Sequence, residues 1–155
     1  MNLRQIELRH SIVREAREWL GTPYHHHGRI KHVGVDCAHL LCAVYEAAAA
    51  VAPVVLPYYP VDWHLHHSEE LFLQWLEKVG AWRVQTPAPG DVAVFRFGRT
   101  YSHGAVMVES DLAVHACVGA EVMLTRLHEA PLAGRERQFW GIVGPRPNDR
   151  SGAPA

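Results

Sequence analysis

The 155-residue sequence lacks several features that would assign it to a class of protein. Its three cysteines are too few, and odd in number, for a disulfide scaffold. It has no run of ~20 apolar residues that could form a membrane-spanning helix, and its N-terminal segment lacks the apolar core of a signal peptide. The formal net charge of −1 gives no basic footprint for nucleic acid. We therefore expect a chain that is cytoplasmic as synthesised, without a signal peptide, membrane insertion or a nucleic-acid partner.

The length and the order of the sequence patterns predict a single α+β domain. Helical patterns occupy the first half of the chain, and β-rich runs follow after Pro87. We place the domain at residues 1–146. Residues 147–155 have little to bury and are predicted to form a flexible tail.

Three helices are expected, over residues 4–20, from 36 to about 50 and from 68 to about 80. Asp36 is a favourable N-cap for the second helix, and the apolar residues all round this helix predict that it is buried. Cys37 then lies in the first helical turn. Ser68 is predicted to cap the third helix, with Glu69 and Glu70 in its first turn.

Five β-rich runs follow, separated by glycine, short polar turns or a longer loop, which predicts an antiparallel sheet of about five strands with the helices packed on it. The runs are 91–97, 104–110, 112–118, 121–127 and 138–144. Between the helices, the proline-rich segment 51–67 is predicted to be an ordered loop. Its aromatic residues, among them Tyr58 and Tyr59, either close the loop onto the core or stack on sugar rings.

A cysteine at a helix N-terminus has the chemistry of a nucleophile. The helix dipole and the free N–H groups of the first turn favour the thiolate of Cys37, which predicts a lowered thiol pKa. The same N–H groups can receive an oxyanion that forms on a substrate carbonyl. Cys42 and Cys117 are predicted to be core residues instead, with a position near the site as the alternative for Cys117, which shares a strand face with His115.

A nucleophilic thiol needs a base, and two histidines on the predicted strands are candidates. His103 begins the strand that also contains Ala105 and Met107 on the same face. His115, on the next antiparallel strand, can share that face and orient the imidazole of His103. A cysteine, a base and an orienting group form the papain-type triad.

The ordered segments GTPYHHHG, GVDCAHLL, APGDVAVF, SHGAVMV and VHAC resemble the NlpC-type cell-wall cysteine peptidases, which are papain-like. The resemblance covers residues 21 to 117. The segment PYYPVDWHLH and the absence of other domains resemble the branch found in phage tails and gene-transfer agents. Partners from such tail particles, and a location on a virion or tail particle at the cell wall, would follow from that branch.

The resemblance implies a role for each matched residue. Cys37 would be the nucleophile, His103 the general base and His115 the residue that orients it. Tyr24 would line the oxyanion site, and Asp36 would cap the helix and lie at the substrate-binding edge. The implied substrate is a peptidoglycan stem peptide, cleaved between D-glutamate and a diamino acid, and no cofactor is required.

The sequence departs from the family pattern at Ala38-His39, where Ser-Gly is usual, and at His25-His26-His27, where an aromatic residue and glycine are usual. His39 either narrows the substrate pocket or points elsewhere. We predict no dedicated metal site, because neither C-x-x-C nor H-E-x-x-H occurs. The His25–His27 and His64–His67 groups are predicted to be solvated loops, with a part in the substrate groove as the alternative.

Two other functions stay open from the sequence. The chain could be an inert structural or binding module of a tail with the same fold. It could also be an acyltransferase or transglutaminase relative that passes the acyl group to an amine.

Overall fold

The computed structural model describes residues 1–62 and 69–147. The predicted cap Ser68, the histidines 64, 66 and 67, most of the predicted tail and the last part of PYYPVDWHLH lie outside the described residues. Within the described ranges, no helix is long and apolar enough to cross a membrane.

Three helices form in this part of the chain: α1 (Leu3–Glu18), α2 (Cys37–Ala47) and α3 (Leu71–Lys78). The predicted cap of α2 is confirmed, since Asp36 has extended backbone angles and its side chain accepts a hydrogen bond from the N–H of His39. Glu69 and Glu70 precede α3 rather than lying in its first turn, and the Glu70 side chain makes no capping bond. Both other helices end two or three residues earlier than predicted.

Eight strands form two antiparallel sheets among the described residues. The two-stranded sheet pairs β1 (Arg29–Ile30) with β2 (Gly34–Val35). The larger sheet has the order β3-β8-β4-β5-β6-β7, in which every pair is antiparallel. Its strands are β3 (Trp82–Val84), β4 (Val92–Phe97), β5 (Thr100–Met107), β6 (Leu112–Ala116), β7 (Val122–Arg126) and β8 (Arg137–Gly141).

The predicted α+β class, with helices before an antiparallel sheet, is confirmed. The sheet has six strands where about five were expected, because the three-residue strand β3 adds to its edge beside β8. Three residues are too few for a period-two pattern to be recognised in a sequence.

Strand alternation gives the large sheet two buried faces. On β4, Val92 and Val94 join the main core with the helices, whereas Ala93 and Phe95 join a smaller core on the opposite face. Leu132, from the connection between β7 and β8, belongs to that smaller core. The central strands β4 and β5 are therefore covered on both sides, which fixes their position in the fold.

Gly104 allows the helices to approach β5 closely. A Cβ atom at this position would lie 2.5 Å from Cζ of Phe72 on α3 and 2.7 Å from Cδ1 of Leu41 on α2. Both distances are well inside van der Waals contact. The glycine therefore sets the distance between the N-terminal half of α2 and the strand that contains His103.

We expect Gly104→Ala to destabilise the fold by about 1–3 kcal/mol, the usual cost of overpacking a core. Urea denaturation measures this loss of stability. In the Gly104→Ala, Phe72→Leu double variant, the smaller side chain should restore part of the stability. An unchanged urea midpoint in Gly104→Ala would contradict this account of the packing.

Candidate active site

The N-terminus of α2 is placed by the small sheet that precedes it. Strand β2 ends at Val35, directly before the N-cap Asp36 and the first helical residue Cys37. Tyr24 forms an isolated bridge with Val35, and the N–H of His25 donates to the carbonyl of Val35 at 3.0 Å. This pairing brings Tyr24 beside the start of the helix.

The sulfur of Cys37 lies against the β5 backbone on both sides of His103. Its thiol donates to the carbonyl of Ser102 at 3.6 Å. The N–H groups of Gly104, Ala38 and Cys37 itself point toward the sulfur and favour its ionised form. In the described part of the chain, the thiol therefore bonds to Ser102 and makes no hydrogen bond to the imidazole of His103.

The predicted lowering of the thiol pKa is wrong for this structure. Cys37 is half-buried, but protein atoms surround its sulfur closely. Burial, with the negative charge of Asp36 as a smaller contribution, raises the pKa of the Cys37 thiol to about 12. The helix N–H groups act in the predicted direction but are outweighed, so the thiol is protonated at neutral pH.

His103 and His115 meet in a hydrogen-bonded chain of three side chains. Nε2 of His103 lies 2.9 Å from Nδ1 of His115, and Nε2 of His115 lies 2.7 Å from Oγ1 of Thr125. The β6–β7 register pairs Ala113 with Thr125, which sets Thr125 diagonally across from His115 on the same face. The shared face that the sequence predicted for His103 and His115 is confirmed.

The positions of the protons in this chain decide what His103 can do. If Nε2–H of His103 donates to Nδ1 of His115, then Nδ1 of His103 has a free lone pair and is basic. The proton of His115 then lies on Nε2 and is donated to Thr125. The same Nδ1 of His115 lies 3.2 Å from the sulfur of Cys117, whose S–H can only add a second donor to this acceptor.

Burial holds both imidazoles neutral. It lowers the pKa of His115 to about 4, and together with the nearby His115 and Arg135 it lowers the pKa of His103 to about 3. His103 has 8% of its surface exposed and His115 has none. At neutral pH the site therefore contains an uncharged thiol and two uncharged imidazoles.

These low pKa values predict that the fold loses stability in mild acid. In the unfolded chain, histidines take up protons below their ordinary pKa of 6.5, whereas His103 and His115 do so only near 3 and 4. The unfolded state then binds more protons, so the free energy of unfolding falls by about 1.4 kcal/mol per pH unit for each histidine as the pH drops below 6.5.

Urea denaturation at pH 7, 6 and 5 measures this loss. His103→Gln should reduce the dependence on pH, because one of the two buried imidazoles is absent. A wild-type urea midpoint that stays constant from pH 7 to pH 5 would contradict the burial of neutral histidines.

One cavity of about 470 Å³ joins the thiol and the first imidazole. Cys37 and His103 both line it, and they reach it from the two faces of β5. Tyr24 and Asp36 line the same cavity. Burial, with smaller contributions from Cys37 and Asp36, raises the pKa of Tyr24, so its hydroxyl keeps its proton and can donate a hydrogen bond.

Asp36 is buried under four hydrogen-bond donors. Its Oδ1 accepts from the N–H and from Nδ1 of His39, at 2.8 and 2.9 Å. Its Oδ2 accepts from the N–H of His27 at 2.8 Å and from the hydroxyl of Tyr59. Burial by itself would raise the pKa of Asp36, but the hydrogen bonds from His39, Tyr59 and His27 outweigh it and lower the pKa. The carboxylate is therefore ionised and accepts hydrogen bonds from all four donors.

The structure thus brings four of the predicted residues, Cys37, His103, Tyr24 and Asp36, around one cavity, and holds His115 directly behind His103. Thr125 was not identified from the sequence. The only available signal was that a polar residue occurs within the predicted strand that follows the strand of His115. The contacts of Asp36 were not predicted either. His39 does not line the cavity but bonds to Asp36, so of its two predicted roles it points elsewhere.

Solved structures with the same fold include those of NlpC/P60 proteins. An NlpC/P60 family protein described as similar to lipoprotein, from Staphylococcus aureus, is 19% identical over 90% of this chain and 42% of its own, with a TM-score of 0.61. The NlpC/P60 domain of the peptidoglycan hydrolase SagA is 21% identical over 88% of this chain and 97% of its own, with a TM-score of 0.57. The peptidoglycan hydrolase RipB from Mycobacterium tuberculosis is 15% identical over 93% and 69%, with a TM-score of 0.57.

The fold is therefore the papain-like NlpC/P60 fold, as the motifs predicted. The chain spans less than half the length of the Staphylococcus aureus protein but nearly all of the SagA domain. No protein-family model matches the sequence, and no curated protein matches it.

Proposed function

We propose that this chain is a cysteine peptidase that hydrolyses an amide bond in peptidoglycan stem peptides. The observation that carries the proposal is the cavity in which a thiol at a helix N-terminus and a buried, oriented imidazole lie together. The likeness to the NlpC/P60 peptidoglycan hydrolases supports the substrate class.

In the proposed reaction, Cys37 is the nucleophile and His103 is the general base. Because both groups rest uncharged, the proton of Sγ passes to Nδ1 of His103 as the sulfur attacks the amide carbonyl. A side-chain adjustment must first turn the S–H from Ser102 toward His103, and apo active sites often show such looser geometry. The carbonyl oxygen becomes an oxyanion, held by the N–H groups of the first turn of α2 and the hydroxyl of Tyr24.

The oxyanion then collapses and the C–N bond breaks. His103 gives its proton to the leaving amine, which leaves a thioester on Cys37. Water attacks the thioester and passes a proton to His103, the C–S bond breaks, and the proton returns to the sulfur. His115 accepts the Nε2–H of His103 throughout and so keeps that proton on Nε2. Thr125 accepts the Nε2–H of His115 and keeps the proton of His115 on Nε2 in the same way.

The D-glutamyl–diamino acid bond is proposed as the scissile bond, on the strength of the sequence resemblance. Association with a phage-tail or gene-transfer-agent particle is proposed on the same basis. The domain boundaries at 1–146 and the tail at 147–155 are retained as proposals.

Digestion of purified muropeptides, followed by mass analysis, tests the proposal. Wild-type protein should release fragments whose masses identify cleavage between D-glutamate and the diamino acid, and Cys37→Ala should release none. Intact muropeptides after prolonged incubation would favour the inert module. Products that carry an added amine acceptor would favour the acyltransferase.

Thiol labelling, by contrast, does not separate an enzyme from an inert module here. The raised pKa of Cys37 makes its alkylation at neutral pH slow in either case.

A further inference from the structure

A second group of polar side chains lies next to the thiol and transfers no proton in the proposed reaction. It consists of His27 in the loop before β1, the N-cap Asp36 and His39 in the first turn of α2. One ligand atom from each of these residues lies within 4.8 Å of the other two. The helix places Asp36 and His39 three residues apart, on one side of its N-terminus.

Backbone contacts hold His27 over the carboxylate. Its N–H donates to Oδ2 of Asp36 at 2.8 Å, and its backbone has a φ of 61°. Few non-glycine residues adopt this left-handed region, and histidine is found there more often than most. Nδ1 of His39 approaches Oδ1 of Asp36 from the helix side at 2.9 Å. The three groups therefore converge from two separate segments of the chain.

We propose that His27, Asp36 and His39 form a binding site for a single Zn²⁺ ion. Two imidazole nitrogens and one carboxylate oxygen are donors that Zn²⁺ accepts at about 2.0–2.2 Å. Ligand atoms on a tetrahedral ion of that size are separated by about 3.4 Å. The wider pairs would close by at most about 1.4 Å, and the 2.9 Å pair of His39 and Asp36 would open by about 0.5 Å. The remaining position goes to water or to His26, whose Nδ1 is 3.9 Å from Oδ2 of Asp36.

Zinc binding at this site would replace the hydrogen bond from His39 to Asp36. Nδ1 of His39 now donates its hydrogen to Asp36, and coordination through that nitrogen requires the neutral ring to carry its hydrogen on Nε2 instead. The ion would then take over the charge pairing that the hydrogen bond provides. Neither the peptidase activity nor the choice of substrate enters this argument.

A competing cluster consists of His103, His115 and Cys117, whose ligand atoms also lie within 4.8 Å of one another. It is a poorer site because His115 is completely buried and His103 has only 8% of its surface exposed, which leaves an ion little access from solvent. His27 and His39 are only half-buried, so an ion can reach them from solvent. The two clusters also differ in chemistry, since only the competing cluster contains a sulfur.

Equilibrium dialysis against Zn²⁺ and calorimetric titration test the proposal on the full chain. Wild-type protein should bind one equivalent of Zn²⁺. The His27→Asn, His39→Gln double variant should bind it more than about 100-fold more weakly, since loss of an outer-shell partner alone costs about 10–100-fold. Asparagine tolerates the left-handed backbone at position 27, and glutamine at the third helical position suits a capping box.

A matched control is His10→Gln, His32→Asn. It also removes one helical histidine and one loop histidine with a positive φ, both of them exposed and outside the cluster. This control should bind Zn²⁺ like wild type. No binding by wild type, or equal loss in both double variants, would overturn the proposal.

Co²⁺ as the probe ion gives a second measurement that needs no variant. Cobalt bound by His27, Asp36 and His39 should show the visible bands of a tetrahedral site without thiolate-to-cobalt charge transfer. Strong charge transfer would place the ion at a cysteine sulfur, outside the proposed ligands, and would overturn the proposal, even if the double variant failed to fold.

Discussion

Cys37→Ala is expected to reduce muropeptide hydrolysis by at least about 10⁴-fold, since removing the nucleophile of a hydrolase of this kind has effects of that size or larger. The substitution removes the atom that attacks the carbonyl and leaves the helix N–H groups in place. Alanine at the first position of α2 keeps the cap by Asp36, so the urea midpoint should stay close to that of wild type. Hydrolysis rates measured with muropeptides, beside urea curves, separate the loss of chemistry from a loss of folding.

Cys117→Ala is the sharpest control for this experiment. Cys117 lines the same cavity, and its sulfur lies 3.2 Å from Nδ1 of His115, whereas Cys37 makes no hydrogen bond to His103 among the described residues. By these distances, Cys117 is a second candidate for the nucleophile. It lacks a helix N-terminus to hold the oxyanion, however, and burial raises its pKa as it raises that of Cys37.

Cys117→Ala should therefore keep most of the hydrolytic activity. Cys42→Ala should keep it as well, because Cys42 lines a separate apolar cavity with Leu41 and Tyr45. Activity that survives in Cys37→Ala and disappears in Cys117→Ala would assign the nucleophile to Cys117, directly after β6, and refute the proposed mechanism.

The parts of the site that the sequence could predict are those set by local interactions. The cap by Asp36, the position of Cys37 in the first turn and the alternation of His103 with Ala105 depend on residues close together in the chain. Capping chemistry and the two-residue period of a strand are visible in any sequence. These predictions were correct for that reason.

Properties that depend on packing could not be predicted in the same way. The order β3-β8-β4 joins strands that are far apart in the chain, and no local pattern encodes it. Thr125 reaches His115 only through the β6–β7 register. The direction of the thiol pKa was wrong because the helix dipole is a local effect, whereas the burial that outweighs it comes from the packed cavity.

In the loop that contains His25, His26 and His27, burial is likewise set by packing and not by local sequence. His25 is exposed, as predicted for a solvated loop, but His26 and His27 are half-buried. Of the two neighbouring tyrosines, Tyr59 packs into the core with 5% of its surface exposed, and Tyr58 has 81% exposed. The sequence gives no reason to expect different burial for two adjacent tyrosines. Only the contacts made by the folded loop decide which of the two is buried.

Substitutions of His115 are expected to test the orientation of the base. His115→Leu removes the acceptor for Nε2–H of His103, so the proton of His103 is free to move to Nδ1, the nitrogen that must take the thiol proton. We expect kcat to fall by about 10²–10⁴-fold, the usual contribution of a general base in its correct form. KM should change little, because His115 is completely buried and does not line the cavity.

Two amide variants of His115 distinguish a role in orienting the imidazole of His103 from a role in packing alone. The side-chain oxygen of Asn is bonded at the same carbon as Nδ1 of histidine, so His115→Asn keeps an acceptor for His103 and loses the bond to Thr125. His115→Gln places its amide near the position of Nε2, where it keeps the bond to Thr125 and not the one to His103. If His115 positions the base, kcat should recover by at least about tenfold in the Asn variant relative to Leu, and much less in the Gln variant. If all three variants lose activity only in proportion to their urea midpoints, His115 is a packing residue, and the relay from Thr125 to His103 has no part in catalysis.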